Sequence, residues 1–298
     1  MDLRQIEYFV ALYDERSITK AARRLNVVQP ALSMQISRLE RTFKTKLFER
    51  TSRGVIPTDI GHTYYGLCQK ILRDVYDAQR YLRDASGRIS GDLTVGLMPS
   101  VANSVLPDVI AEYKANFPDV TLRIVEAYSA SLIEQLYSGK LDLAVINNTG
   151  SRARIAVVPL FRDYLVLVTR YTASKKIPAE IPCHRLQEFK LVLPSQQQGM
   201  RLLVDSMLAS MGITLKSEVE LDSLGPTLDL VRGGDWATIL PVVAVKRAVD
   251  QKLLRSQRLV EPEIPREVIV ATPTTRAPSL AAEQFLKILK ARVTDLLA

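Results

Sequence analysis

Ser17-Ile18-Thr19-Lys20-Ala21-Ala22-Arg23-Arg24-Leu25-Asn26-Val27-Val28-Gln29-Pro30-Ala31-Leu32-Ser33-Met34-Gln35-Ile36-Ser37-Arg38-Leu39-Glu40 reads as two short helices around a tight turn. Ser17 is a helix cap, and Ala21, Ala22 and Leu25 form the buried side of the helix it opens. The two alanines are small enough for another helix to pack close. Asn26-Val27-Val28 is too short for anything but a turn. Gln29-Pro30 opens the second helix, where the N–H that proline lacks would be unpaired anyway. Leu32, Ile36, Leu39 and Phe43 follow at steps of 4, 3 and 4 and define its apolar face. At about 100° per residue, Pro30, Met34, Arg38 and Arg41 point the other way, flanked by Ser33 and Ser37. That face is short near its start and basic towards its end. It suits a recognition helix whose first turns enter a major groove while arginines reach phosphate or guanine. A plain three-helix bundle with a solvated outer face has the same periodicity.

The flanking segments favour the first reading. Upstream, Leu3, Ile6, Val10 and Tyr13, with Phe9 beside them, predict an amphipathic helix of about three turns. Downstream, the apolar pair Leu47-Phe48 precedes a hairpin-like turn, Arg50-Thr51-Ser52-Arg53-Gly54-Val55, before Pro57-Thr58 opens another helix. A basic hairpin after a recognition helix is a wing, which grips phosphate or a minor groove. Charge agrees: residues 16–53 hold ten Lys and Arg against two Glu, the whole of the chain's net +8. The remaining residues sum to zero, so a basic module is joined to a neutral body and nucleic acid is the first candidate partner.

In order and spacing, Ser17-Ile18-Thr19-Lys20-Ala21-Ala22, Leu25, Gln29-Pro30-Ala31-Leu32-Ser33, Leu39-Glu40, Leu47-Phe48-Glu49-Arg50 and Thr58-Asp59-Ile60-Gly61 resemble the N-terminal signature of LysR-type transcriptional regulators. The nitrogen-assimilation-control type is among the nearer relatives, and the downstream pattern extends the resemblance over essentially the whole chain. It implies an α/β protein: an N-terminal winged helix-turn-helix, a long linker helix, and a C-terminal bilobed effector domain like type 2 periplasmic binding proteins. It also implies a bacterial regulator that binds double-stranded promoter DNA, usually at an interrupted palindrome, under control of a small-molecule effector. The expected DNA contacts are Thr19, Gln29, Pro30, Ser33, Met34, Ser37, Arg38, Arg50 and Arg53. Two positions depart from the signature. Val28 stands where the family has Ser, losing a hydroxyl that caps the helix or touches phosphate. Lys44 stands where the family has Gly, so the backbone there is either left-handed at some cost or turns differently.

From Thr58 to Ala85 there is no Pro, and Ile60, Tyr64, Leu67, Ile71, Val75, Ala78, Leu82 and Ala85 repeat in a heptad-like pattern. About 28 residues at 1.5 Å each span roughly 40 Å. An apolar stripe that long calls for a partner, so self-association as a dimer or tetramer is expected; docking along the chain's own body is the alternative. Cys68 reads as packing. Ser86 to Gly91 is a hinge.

Strand-like and helix-like segments then alternate. Leu93–Leu97, Val120–Val125 and Leu141–Ile146 read as strands, separated by helices from Val105 to Tyr113 and from Ala130 to Ser138, which makes a βαβαβ unit with a parallel sheet. The pattern recurs in strands at 191–193, 218–221 and 237–240 with helices at 200–211 and 226–232. Extended segments near 157–169 and 267–272 join two similar halves into a clamshell, and a last helix, Ser279 to Leu297, returns to the first. The expected division is 1–58 for the DNA-binding domain, 59–90 for the linker and 91–298 for the effector domain, with lobe I about 91–160 and 266–298 and lobe II about 161–265. Ligands of such folds lie at the carboxyl ends of the strands. Ser100, Ser129, Asn148, Ser195 and Gln196 fall there and are the expected effector contacts. Hydroxyls and N–H groups at helix starts suit a carboxylate or other small anion, although Ser and Asn are also ordinary caps. Arg201, one turn beyond Gln198, either adds charge to that site or is solvated.

Other classes fare worse. The chain has no match to GxGxxG, GxxxxGK[ST], HExxH or GxSxG, and only two His, so no catalytic residue, metal site or cofactor is expected. Cys183-His184 suggests a thiolate site only weakly. Two Cys make no disulfide framework. No run approaches the ~18 apolar residues of a membrane helix, and Asp2 and Arg4 argue against a secretory signal. A bacterial cytoplasmic protein, associated with the nucleoid through DNA and with no membrane partner, is expected. The alternatives are a regulator of this fold that needs no effector and a cytosolic solute receptor.

Overall fold

The computed structural model describes every residue except 1, 52–53, 86, 88, 149, 151–152, 174–176 and 275–276, and only the backbone of 50 and 83–85. Its contacts divide the chain into two compact units, residues 1–88 and 89–298.

In the first unit, α1 (Leu3–Glu15) is capped by Asp2, whose Oδ1 accepts from Gln5 N at 2.8 Å. Ile6, Phe9 and Leu12 carry its buried face, while Leu3 is exposed and Val10 and Tyr13 are half-buried. The inward stripe is therefore rotated from the expected one towards Tyr8 and Ala11. Ser17 caps α2 (Ile18–Arg24) through Lys20 N, and Ala21 and Ala22 are buried as their size allows. Asn26 makes the turn in the left-handed region, at φ 55, a conformation asparagine tolerates. The next helix, α3 (Gln29–Thr42), starts one residue before Pro30 and buries Leu32, Ile36 and Leu39. Phe43, expected on that face, lies beyond the helix end and is exposed. Lys44 takes the left-handed backbone, at φ 50.

The wing pairs β1 (Phe48–Thr51) with β2 (Gly54–Pro57) antiparallel. Gly54, at φ 125, lies against Arg16, whose carbonyl oxygen would be 2.9 Å from a Cβ there. Glu40 holds the wing's first strand: its Oε1 accepts from Leu47 N at 2.9 Å and Phe48 N at 3.2 Å. From Thr58, whose Oγ1 accepts from Gly61 N at 3.0 Å, runs α4 (Asp59–Ala85). Gly61 is obligatory, since a Cβ would lie 2.3 Å from Leu47 O. Cys68 is buried in the head's core, with Tyr64, Tyr65, Ile71 and Leu72 packed against it. Ile60, Leu67, Tyr81 and Leu82 remain exposed. The expected stripe is thus shared: one edge docks on the chain's own head, the other faces outward.

The second unit alternates as expected at its start. The strands β3 (Gly91–Leu97), β4 (Val120–Glu126) and β5 (Leu143–Asn147) pair in parallel with β3 central, linked by α5 (Pro99–Asn116) and α6 (Ser129–Tyr137). A 16-residue strand, β6 (Ile155–Arg170), leaves this lobe and enters the other. Its first part pairs antiparallel with β12 (Pro265–Pro273), and its second with β10 (Trp236–Pro241) and β11 (Leu254–Val260). The second lobe adds β7 (Glu180–Pro182), β8 (Lys190–Leu193), β9 (Val219–Glu220), α7 (Gly199–Ala209), α8 (Leu224–Gly233) and α9 (Val242–Asp250). The last helix, α10 (Leu280–Leu297), is capped by Ser279 and returns to the first lobe, where Tyr113 Oη donates to Ala281 O at 2.9 Å. Sequence reasoning missed α9 and β11. Ala237 to Val245 is one apolar, valine-rich run, and only Pro241, the cap of α9, marks where strand becomes helix.

Candidate functional site

In the first unit, Pro30, Met34, Arg38 and Arg41 are exposed along α3, with Ser33 and Ser37 half-buried at its flanks. Gln29 Nε2 donates to Thr19 Oγ1 at 2.9 Å, tying the start of α3 to α2. Val28 makes no side-chain cap to α3, so the first N–H groups of this helix have no hydroxyl acceptor from that position. An uncapped, exposed helix start attracts phosphate through its positive dipole end. Arg24 is not available to such a partner, since it pairs with Asp14 at 2.9 Å and Glu15 at 3.5 Å. The backbone of Arg50 lies in β1, but its side chain, and Arg53 entirely, lie outside the described residues.

In the second unit a cavity of about 400 Å³ opens at the carboxyl ends of β3, β5, β8 and β10. Helices α5, α6, α7 and α8 begin on its wall, and none of the four has a side-chain cap. By contrast α1, α2 and α10, which begin elsewhere, are each capped by a side chain. Helix α9 also starts at the cavity, but Val243 N donates to Asp163 Oδ2 at 3.1 Å.

Ser100, Ser129 and Asn148 line the cavity; Ser195 and Gln196 do not, and Gln197 and Gln198 stand there instead. Ser195 turns away, its N and Oγ donating to the two carboxylate oxygens of Asp222, both at 2.9 Å. Ser129 Oγ accepts from Asn147 N at 3.2 Å. Asn148 Nδ2 donates to Glu267 at 2.5 Å. Arg201 is neither solvated nor in the cavity wall: it is buried, pairing with Asp205 at 2.7 Å and donating to Pro194 O at 3.1 Å.

The charged group the sequence did not signal is Arg266. It is buried on the cavity wall, donating to Ser100 Oγ at 3.0 Å and to Asp163 Oδ2 at 3.2 Å. Burial pushes its guanidinium down to about 10, against the pull of the Asp163 charge. Reading the sequence, nothing separates Arg266 from surface arginines; only the crossing of β6 and β12 sets it beside Asp163. Tyr128 joins the lobes, its hydroxyl donating to the Asp222 carbonyl. Cys183 is buried, its Sγ 3.3 Å from Pro262 O, and burial, then Glu261, pushes its thiol up to about 11. That is the wrong direction for a thiolate nucleophile, and the adjacent His184 is exposed. Among the described residues no cluster of His, Cys, Asp and Glu is arranged to hold a metal, and no helix is long and apolar enough to cross a membrane.

Both units have counterparts among known proteins. Residues 3–62 match the bacterial regulatory helix-turn-helix protein of the lysR family, and residues 86–294 match the LysR substrate binding domain. Over 248 residues the chain is 31% identical to the nitrogen assimilation regulatory protein nac of Escherichia coli K12, covering 83% of this chain and 80% of that one. It is 30% identical to the DNA-binding transcriptional dual regulator OxyR of the same organism, over 82% of this chain and 80% of the other. Full-length OxyR of Pseudomonas aeruginosa, 24% identical, has the same fold with a TM-score of 0.73, covering 98% of this chain and 94% of that one. LysR regulators bind promoter DNA, respond to small-molecule effectors and form oligomers; they are not enzymes. The chain belongs to the LysR family of bacterial transcriptional regulators, with a helix-turn-helix for DNA and a domain for an effector.

Proposed function

We propose that residues 1–58 read promoter DNA, residues 59–90 pair two copies, and residues 91–298 clamp a small anionic effector between their lobes. One observation carries the effector reading: four uncapped helix starts converge on one cavity. Each directs partial positive charge inward, which favours a carboxylate or similar anion. Ser100, Ser129 and Asn148 border the ligand, while Ser195 and Gln196 act at one remove, Ser195 by holding Asp222. On the DNA side, Thr19, Gln29, Pro30, Ser33, Met34, Ser37 and Arg38 meet the groove, and Arg50 and Arg53 meet phosphate. The exposed edge of α4 pairs with its copy. Ligand binding shifts the lobes towards closure, which changes the packing of neighbouring bodies and so the spacing of the DNA heads.

Selection of bound duplexes from a random-sequence pool tests the DNA reading. Enrichment of an interrupted palindrome, with binding steeply weakened by salt, is expected. Retention of all sequences alike would overturn the recognition-face assignment.

A further inference from the structure

Among the described residues, four buried side-chain polar atoms have no hydrogen-bond partner: Asn147 Oδ1, Thr169 Oγ1, Thr238 Oγ1 and Arg266 Nε. Three of the four belong to residues on the wall of that cavity. They come from different parts of the clamshell: Asn147 ends β5 in the first lobe, Thr238 lies within β10 in the second, and Arg266 is on β12, where the lobes join. Buried polar atoms are almost always paired, and leaving one unpaired is costly. Three orphans in residues that line one cavity constrain the chemistry of a ligand that reaches them.

Asn147 Oδ1 accepts only, so its partner must donate. Arg266 Nε donates only, so its partner must accept. The Thr238 hydroxyl does either. The rest of the wall is largely apolar, including Met98, Ala130, Met200, Leu203, Leu224 and Leu240. At about 30 Å³ per water, the cavity has room for a ligand of about a dozen non-hydrogen atoms. An ammonium group is a poor donor here. The carboxylate on the lining, Glu267, is already engaged by Asn148 and by Arg162 at 3.8 Å, and a buried cation without its own counter-charge is expensive.

We infer that the effector is a compact hydroxy acid with an apolar, aromatic body, whose hydroxyl is held by Asn147 and Thr238 while its acid group faces Arg266 and the helix starts. This rests on the reading of the cavity as an effector site. Thr238 and Asn147 then discriminate hydroxy acids from their deoxy counterparts, because a ligand without the hydroxyl leaves both groups unpaired.

The test is titration calorimetry on the full chain with two matched pairs, phenyllactate against hydrocinnamate and mandelate against phenylacetate. Each hydroxy acid is expected to bind at least ten-fold more tightly than its partner. Thr238→Val and Asn147→Leu are each expected to shrink that ratio, and Thr238→Val should leave the unliganded protein's unfolding midpoint unchanged or raised, since it deletes an unpaired hydroxyl. Equal affinity within both pairs, or a ratio that survives in both variants, would overturn the hydroxyl assignment while leaving the anionic reading standing. Methyl phenyllactate binding as tightly as phenyllactate would overturn the anionic reading. No binding by any of the four acids would overturn the inference, whatever the DNA selection shows.

Discussion

Lys44 and Asp163 show how single residues carry cost and compensation in this protein. Lys44 adopts a left-handed backbone, at φ 50, which costs an L-residue about 1–2 kcal/mol, partly offset by the extra unfolded-state entropy of glycine. Lys44→Gly is expected to stabilise the protein by about 0.5–1 kcal/mol, read from chemical denaturation. Asp163 is buried and does three things: its Oδ1 accepts from Tyr164 N at 2.7 Å, and its Oδ2 accepts from Val243 N and faces Arg266. Asp163→Ala strands a buried guanidinium and two backbone donors. The expected loss is about 3–5 kcal/mol of unfolding free energy, the usual cost of breaking a buried pair on one side. A loss below 1 kcal/mol would show that the pair is not buried as described.

At the scale of elements, α4 has two tasks on one helix. Tyr64, Cys68 and Ile71 belong to the head, whereas Leu67 and Leu82 face outward. A charge at Ile71 would therefore damage the head as well as any pairing. Leu67→Glu separates the two: it is expected to convert the oligomer to monomer, by light scattering, with the helical circular dichroism retained. A variant that stays oligomeric would refute pairing along this edge. The wing depends on Glu40 in the same divided way, since its carboxylate belongs to α3 but bonds the N–H groups entering β1.

For the whole molecule, the proposed function makes two kinds of prediction. The first is electrostatic. Replacing Arg53 by Ala is expected to weaken binding to all duplexes and reduce the slope of log affinity on log salt by about 0.9, one phosphate's worth. Arg38→Ala should instead relax the preferred sequence by about 1–3 kcal/mol at one position. Equal effects of both on every duplex would show that α3 does not read bases. The second is closure. Tyr128 and Asp222 join the lobes directly, as do Arg247 and Asp108. Tyr128→Phe removes one such bond, worth about 1 kcal/mol, and is expected to lower the melting midpoint by about 2–4 °C.

Much of this was legible in the residues because local physics wrote it there. Ser17, Gln29-Pro30 and the steps from Leu32 to Leu39 specify helices through capping and periodicity alone, so the helix-turn-helix and its outward face followed from the sequence. The strand at 93–97, most of the one expected at 141–146, which begins at Leu143, and the final helix behind Ser279 were legible for the same reason. Tertiary packing alone decided the rest. The sharing of α4 between head and exterior depends on which residues the head happens to cover. The switch from β10 to α9 inside one valine-rich run depends on contacts that outweigh β propensity. Ser195 looked like a ligand donor until Asp222, 27 residues away, took its hydroxyl. Thr238, Asn147 and Arg266, distant in the chain, line one cavity only because β6 and β12 run between the lobes, and a buried unpaired atom is a property of that fold rather than of any one residue.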